Sequence, residues 1–183
     1  MTTVTAQPLA GTYRASPAPS TFAFAVRHSG VFWFRGAFDD VAATLRRDGD
    51  ALSLEGSARV ESISVRQPAV LRANVLGPEF FDAEHHPELT FRSTAVRLAG
   101  DGGAEVDGEL TLRGVTRPVT ARGRFAGPRA AGFGEVVGLQ LHTGFDRREF
   151  GFGWQQQLPG GGTAVGWDVQ VDIDLLLVRD DAA

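Results

Sequence analysis

Apolar and polar residues alternate strictly near the end of the chain, in the segment VGWDVQVDIDLLLV at residues 165–178. Successive side chains of a β-strand point to opposite faces, so this pattern predicts a long antiparallel strand with one face on the core and the other in water. Asp172 and Asp174 lie on the wet face, where a solvated surface is the preferred interpretation over a paired-carboxylate site. The face predicted to point inward carries Trp167, Val169, Val171, Ile173, Leu175 and Leu177.

The same alternation recurs upstream, and glycine-rich turn signals separate the runs. The clearest upstream runs are residues 20–30, 52–61, 104–114 and 136–146. Residues 67–75 alone read as helical, because Pro68 suits a first turn and Gly77-Pro78 would end the helix. Closure into a barrel removes the exposed edges of such an all-β chain. We therefore predict an all-β, antiparallel closed barrel of about eight strands with one short helix.

Composition narrows the classes of function. The chain of 183 residues fits a single domain over residues 1–183, with its core at about 11–179. The absence of cysteine removes disulfides, thiolate nucleophiles and cysteine-based zinc sites. With a net charge of −4 and no basic tract, we expect no nucleic-acid partner. The first residues lack the basic and apolar regions of a signal peptide, and no apolar run approaches the ~18 residues of a transmembrane helix, so we expect a cytoplasmic protein.

Several positions predicted to face inward are small or polar, among them His28, Gly56, Ala58, Gly108 and Thr143. A barrel of about eight strands has room for side chains or for one small ligand. Small residues beside large Phe and Trp side chains therefore favour an elongated apolar cavity over a solid core.

Paired histidines stand in the segment FFDAEHHPELTFRST, residues 80–94. Adjacent residues of an extended chain point to opposite sides, and Pro87 biases His86 to extended geometry. A zinc site needs three or four converging ligands. We therefore predict that His85 and His86 bind no metal and belong to a polar segment that immediately precedes a strand.

Two other polar residues have alternative interpretations. His28 follows Phe24 and Val26 on an apolar face, so it is either a structural histidine bonded to a neighbouring strand or loop, or a contact to a ligand head group. Arg147 either forms an ion pair with Asp146 that fixes a turn, or faces a diphosphate or another anion. General-base catalysis by His28 would need a partner such as Asp146, and we predict no catalytic residue.

Five segments together carry a resemblance to a known family. FAFAVRHSG, RGAFDDV, EFFDAEHHPELTFRST, DGELTLRGVTRPVT and FDRREFG occur in the order found in the YceI family of polyisoprenoid-binding, lipocalin-like β-barrel proteins. The matches run from about Tyr13 to Val178. One departure is the Arg-Asp-x-His-Leu motif of many members, of which Arg66 and Leu71 correspond here while the Asp and His are missing.

The resemblance implies a non-enzymatic protein that carries or stores a long-chain isoprenoid-like lipid, of polyprenyl or quinone type, and that uses no cofactor besides this lipid. Two alternatives remain open, a cyclase or isomerase acting on an apolar metabolite and a stress-related interaction module with a packed barrel. A homodimer is also left open. The residues expected to contact the lipid are Phe24, Val26, His28, Phe38, Phe80, Phe81, Leu110, Leu112, Arg147, Trp167, Val169 and Val171.

Overall fold

The computed structural model describes residues 9–180. The amino-terminal residues 1–8, on which much of the signal-peptide prediction rests, lie outside the described residues. Within residues 9–180, one helix, α1, covers Ala69–Leu76, and short 3-10 turns cover Val60–Ser62 and Arg147–Phe150. The strands are β1 Gly11–Ala15, β2 Thr21–His28, β3 Phe32–Phe38, β4 Val41–Asp48, β5 Ala51–Arg59, β6 Glu88–Leu98, β7 Gly103–Leu112, β8 Val115–Ala131, β9 Gly134–Asp146 and β10 Val165–Arg179.

The sheet closes into a barrel of eight strand positions. Strands β4 to β10 follow one another by antiparallel neighbours, and β1 closes the ring by pairing with both β4 and β10. Strand β10 pairs with β1 through its last residues and with β2 through its earlier residues, and β2 pairs with β3 as β1 pairs with β4. Two positions of the ring are therefore each occupied by two strands, one by β1 and β2 and the other by β3 and β4. The prediction of a closed antiparallel barrel of about eight strands with one short helix is confirmed.

Strand β10 shows how the alternation in the sequence becomes an inside and an outside. Val171 and Leu177 are buried, while Asp172 is exposed and its carboxylate contacts the Nδ1 atom of His142 on the outer face of β9 at 3.1 Å. The prediction of one wet face is therefore confirmed. Each fully buried aliphatic side chain contributes about 1.5–3 kcal/mol to folding, which is why a one-residue slip of this strand is strongly disfavoured.

Helix α1 lies over one end of the barrel. Pro68 precedes the helix as its N-cap residue and therefore lies just before the first turn, in which its predicted position falls. From the middle of α1 the guanidinium of Arg72 donates hydrogen bonds to the backbone carbonyls of Glu61, Ile63 and Val65, at 2.6, 3.0 and 3.2 Å. These bonds satisfy carbonyls of an irregular segment and fix the helix to it.

The half of the barrel farthest from α1 is solidly packed. Tyr13, Leu45, Val106, Leu139 and Leu177 are at most 1% exposed and belong to one cluster of buried side chains. A second buried cluster, rich in phenylalanine, lies toward the helix. The barrel thus has a packed half and a half lined by aromatic rings.

A polar network joins β1, β9 and β10 in the packed half, with Tyr13 buried and Arg179 exposed. The hydroxyl of Tyr13 donates a hydrogen bond to the carboxylate of Glu135. The guanidinium of Arg179 donates to the same carboxylate at 3.2 Å. Because Tyr13 also pairs with Arg179 in the β1–β10 ladder, this network lies at the closure of the barrel.

Two glycines allow aromatic rings to lie flat against the inside of the wall. A Cβ atom on Gly36 would stand 2.6 Å from the ring of Phe24. One on Gly108 would stand 2.4 Å from the ring of Phe91 and 2.5 Å from the carbonyl oxygen of Arg92. These approaches explain why the motifs RGAF and DGEL contain glycine at these positions.

Candidate ligand-binding cavity

A cavity of about 410 Å³ occupies the half of the barrel that α1 covers. Strands β2, β3, β6, β7, β9 and β10, helix α1 and the segments after the helix and after β9 supply its wall. The wall is predominantly apolar, which is typical of sites for hydrophobic ligands. The expected apolar cavity is therefore present in the described part of the chain, whereas its elongated shape stays a prediction.

The cavity continues toward the packed half. A smaller chamber of about 60 Å³ shares part of its wall with the large cavity. The shared residues are Phe22, Leu89, Leu110 and Val171. They form a neck, beyond which the packed half begins with Leu141 and Leu175.

Eleven of the twelve residues expected to contact a lipid line the large cavity. They are Phe24, Val26, His28, Phe38, Phe80, Phe81, Leu110, Leu112, Arg147, Val169 and Val171. Their placement in the wall is observed, whereas their contact with a ligand stays a prediction.

Trp167 is the exception, because it is not among the residues that line the cavity, and its contact with a ligand stays a prediction. The pairing of β10 with β2 is irregular between Val165 and Val169, which interrupts the alternation of faces at this point. The Trp167 ring instead lies against the guanidinium groups of Arg147 and Arg148, at 4.3 and 4.8 Å from its centroid. It therefore contacts Arg147, a residue of the wall, through a cation–π interaction.

Phe81 explains the paired phenylalanines of the segment EFFD. Its ring meets those of Phe38 and Phe152 edge to face, at centroid distances of 5.6 and 5.4 Å. The neighbouring Phe80 ring lies 5.3 Å from Trp154. The two rings close one side of the cavity from successive positions, an arrangement that edge-to-face contacts favour.

Other lining residues were missed by the sequence analysis. Phe22, Phe32 and Phe34 share faces with predicted residues, so the alternation of β2 and β3 carried a signal for them. Trp154 lies in a segment without periodicity, and no local signal marks it, whereas Val165 begins the alternation of β10 and shares a face with Val169.

His28 lies at the edge of the cavity and is partly exposed. Its Nδ1 atom is 3.0 Å from the hydroxyl of Ser29, and its ring stacks on Phe32 with a centroid distance of 5.0 Å. The interpretation as a structural histidine thus has a partner in the adjacent turn. Contact of the His28 ring with the head group of a ligand stays a prediction.

The Arg147 side chain is 4% exposed and forms part of the wall of the cavity. Its Nε atom donates to the carbonyl of Gly166 at 2.8 Å, and its two Nη atoms donate to Phe152 at 2.8 Å, Trp154 at 2.9 Å and Val165 at 3.2 Å. Burial lowers the pKa of this guanidinium from its ordinary value. The side chain thereby fixes the irregular segment between the 3-10 turn at Arg147–Phe150 and β10 to the barrel.

The expected ion pair of Asp146 with Arg147 is wrong, because the partner is Arg148. The Asp146 carboxylate accepts hydrogen bonds from the backbone N–H of Arg148 at 2.9 Å and from its guanidinium. Asp146 is the N-cap of a 3-10 turn, so the next two side chains leave in different directions. The hydrogen bond from Arg148 is the main cause that lowers the pKa of Asp146.

The paired histidines lie in a turn, not in an extended segment. The backbone N–H groups of His85 and His86 both donate to the carbonyl of Asp82, at 3.1 and 2.9 Å. The Nδ1 atom of His85 is 2.9 Å from the Asp82 carboxylate, which raises the pKa of His85, whereas His86 packs beneath Gly114. Strand β6 begins soon after, at Glu88. The segment therefore leads into a strand as predicted, although its geometry differs.

Metal ligands do not converge in the described residues. Across residues 9–180, no group of three or more His, Asp or Glu side chains could hold a metal ion. The prediction that His85 and His86 bind no metal stays a prediction. In the same part of the chain, no helix is long and apolar enough to cross a membrane.

The family motif that departs in this chain lies beside the cavity. Arg66 forms an exposed ion pair with Asp39 at 2.6 Å, and Leu71 of α1 lines the cavity. Of the two corresponding residues, Leu71 is therefore part of the cavity wall and Arg66 forms an ion pair on the protein surface.

Comparison with known proteins places these observations in a family. The profile of the YceI-like domain matches residues 13–177. A UPF0312 protein of Pseudomonas putida strain W619 is 30% identical over 130 residues, which cover 69% of this chain and 67% of the relative. A UPF0312 protein of Ectopseudomonas mendocina is 30% identical over 107 residues, or 57% of this chain. That match spans only 56% of the relative's own length.

Solved structures share the fold. BcnA of Burkholderia cenocepacia has a TM-score of 0.73 at 23% identity, covering 90% of this chain and 99% of its own. A polyisoprenoid binding domain from Saccharophagus degradans has a TM-score of 0.70 at 12% identity, covering 94% and 100%. At these identities the likeness establishes the barrel architecture.

Proposed function

Because this chain belongs to the family of YceI-like domains, we propose that it binds one isoprenoid-like lipid, of polyprenyl or quinone type, and carries or stores it without chemical change. The observation that carries the proposal is the apolar cavity of about 410 Å³, whose wall contains eleven residues predicted from the sequence. The tail would lie in the cavity. The head group would lie at the edge, where His28, Asn74 and Glu79 supply polar atoms.

The size of the cavity sets the length of tail that it can hold. An apolar protein cavity of about 150 Å³ accommodates one benzene ring, or about 25 Å³ for each carbon atom. By this measure 410 Å³ holds about sixteen carbons, close to three five-carbon units. A longer tail would have to extend through the mouth or widen the neck at Phe22.

The energetics are adequate for such a ligand. Burial of fifteen carbons at about 0.8 kcal/mol each contributes roughly 12 kcal/mol, whereas a micromolar complex requires about 8 kcal/mol. The remaining ~4 kcal/mol offsets the loss of freedom on association. No covalent step is needed, and Arg147, the buried polar side chain of the wall, already donates to four carbonyls.

Organic extraction of the purified protein, followed by mass spectrometry of the extract, tests the proposal. We expect an isoprenoid-like lipid in stoichiometric amount, or micromolar binding of the three-unit isoprenoid farnesol if the protein is purified empty. Absence of both would contradict the proposal, and conversion of an added isoprenoid would favour the cyclase or isomerase alternative.

A matched pair of variants on β10 assigns the binding to the cavity. Val169 lines the cavity, whereas the next residue, Gln170, is exposed on the outer face. Val169→Phe should weaken farnesol binding at least tenfold by occupying the space of the tail, and Gln170→Phe should leave it nearly unchanged. Equal effects of the two substitutions would place the ligand elsewhere. The cavity argues against the third alternative from the sequence, an interaction module with a barrel packed solidly throughout.

A further inference from the structure

Exposed apolar side chains concentrate beside the mouth of the cavity. Four large hydrophobic residues are exposed within residues 9–180, namely Val31 at 78%, Phe32 at 50%, Val70 at 67% and Phe133 at 66%. Val31 and Phe32 form the tip of the β2–β3 hairpin, and Val70 lies in the first turn of α1. Single exposed apolar residues are common, but three of these four lie in the two segments that flank one opening.

These tips are continuous with the cavity wall. Phe32 is half exposed and also lines the cavity, so the cavity reaches the surface at the hairpin. Leu71 and Asn74, which follow Val70 on α1, line the same cavity. A ligand that enters or leaves between the hairpin and the helix therefore passes the exposed apolar side chains.

The charge of the hairpin differs from that of the whole chain. Residues 20–38 contain two Arg and no Asp or Glu, although the chain has 22 acidic residues and a net charge of −4. Residues 62–78 and 150–167, which contribute other residues of the cavity wall, also contain no acidic residue. Glu79 is the acid among the residues of the wall. The mouth is thus apolar and locally cationic on an acidic protein.

The two arginines of the hairpin suit a membrane interface. The guanidinium of Arg27 lies 4.5 Å from the centroid of the Trp33 ring, and Arg35 is exposed on the same strand as Trp33. Arg and Trp side chains combine an apolar body with a polar end, so they reside well at the boundary between lipid and water. Arg66 pairs with Asp39 and Arg72 with backbone carbonyls, so the positive charge available to a partner rests on the hairpin.

We propose that this mouth-side surface, the tip of the β2–β3 hairpin and the first turn of α1, docks on a bilayer that contains anionic phospholipid. The inference rests on the proposed function, because docking would let a lipid pass between bilayer and cavity without crossing water. Burial of one exposed apolar side chain strengthens binding about tenfold, and one arginine near an anionic surface strengthens it about fivefold.

Flotation of the full chain with two kinds of vesicle tests the docking. We expect at least tenfold tighter binding to equal parts phosphatidylcholine and phosphatidylglycerol than to phosphatidylcholine alone, with a decrease at high salt. The double variant Val31→Asp, Val70→Asp should lose about a hundredfold of this binding. Both positions are exposed, and an acidic residue in the first turn of a helix is favourable, so the fold should be retained.

Phe133→Asp is the matched control. Phe133 has the same exposure as Val70 but lies in the β8–β9 hairpin, at the end of the barrel where β9 pairs with the last residues of β10. Its substitution should leave vesicle binding unchanged. An equal loss in the control and the double variant would show unspecific adhesion and overturn the proposal.

Farnesol binding in the absence of vesicles separates the two proposals. The double variant should keep the farnesol affinity of the wild type within about threefold, because surface substitutions cost little. If the wild type binds farnesol but neither kind of vesicle, the docking surface is wrong, as it would be for a surface that fits a protein partner. If vesicles bind in the predicted manner and farnesol does not, the lipid-carrier function is wrong and the docking stands.

Discussion

Stability at alkaline pH should depend on a single side chain, Tyr13. The chain has one tyrosine and neither lysine nor cysteine, so no other side chain has an ordinary pKa between about 9 and 12. Burial, together with the hydrogen bond to the Glu135 carboxylate, raises the pKa of Tyr13 from 10.0 to about 12. The neutral, protonated form of Tyr13 is therefore favoured more strongly in the folded protein than in the unfolded chain.

The magnitude follows from linkage between protonation and folding. A folded-state pKa of about 12 against an unfolded value of 10.0 corresponds to about 2.7 kcal/mol, at about 1.36 kcal/mol for each pH unit. Because the folded pKa is the higher one, this contribution to the free energy of unfolding is complete below pH 10. It should be lost as the pH rises from 10 through about 12.

Two measurements test this expectation. The ultraviolet absorbance of tyrosinate reports on Tyr13 directly, and urea unfolding at successive pH values gives the free energy of unfolding. Tyr13→Phe should be less stable at pH 9 by roughly 1.5–3 kcal/mol, the value of a hydrogen bond to a charged group, yet should lose almost nothing between pH 10 and 12. The reasoning would be refuted if Tyr13 of the folded wild type ionised with a midpoint near pH 10. It would also be refuted if the free energy of unfolding of Tyr13→Phe fell between pH 10 and 12 as much as that of the wild type.

Three further expectations concern single positions. His28→Phe should leave the melting temperature nearly unchanged and weaken farnesol binding less than tenfold, because the tail supplies most of the binding energy; a larger loss of affinity at unchanged stability would make His28 a head-group contact. Gly108→Ala should cost more stability in thermal unfolding than Gly36→Ala, because its methyl group meets a backbone carbonyl and not only a movable ring; the reverse order would contradict the packing described. Metal analysis of untagged protein should find less than one ion per chain, and a stoichiometric ion lost in His85→Ala, His86→Ala would disprove that expectation.

Alternation of residue types was sufficient to predict the barrel and much of its interior. In β2, β7 and β10 the spacing of two between inward residues is a local property, so the faces of Phe24, Leu110 and Val171 could be read from the sequence. Helix α1 was predicted from Pro68 and Gly77, because both residues restrict where a helix begins and ends. The number of strands differs from the eight ring positions because β1 with β2, and β3 with β4, share a position.

The remaining features depend on distant contacts. The pairing of β10 with β2 is irregular between Val165 and Val169, and Trp167 within that stretch is not among the residues that line the cavity. Which of two adjacent arginines pairs with Asp146 depends on the direction of a 3-10 turn, and Arg147 instead finds carbonyls up to 19 positions away. Trp154 lies at the cavity in a segment that the hydrogen bonds of Arg147 and of Gln155 hold against the barrel.

Closure of the ring by β1, β2 and β10 has a consequence for synthesis of the protein on the ribosome. Tyr13 of β1 pairs with Arg179 of β10, and Phe24 of β2 pairs with Val171 of β10. The strands that are synthesised first therefore cannot complete their pairing until the last strand has been synthesised. Contacts so distant in sequence form slowly, and unpaired strand edges are prone to aggregation. A nascent chain lacking β10 would expose the apolar β2 edge and the β9 edge together. Chaperone protection of partially translated chains should therefore matter more for this topology than for a barrel closed by neighbouring strands.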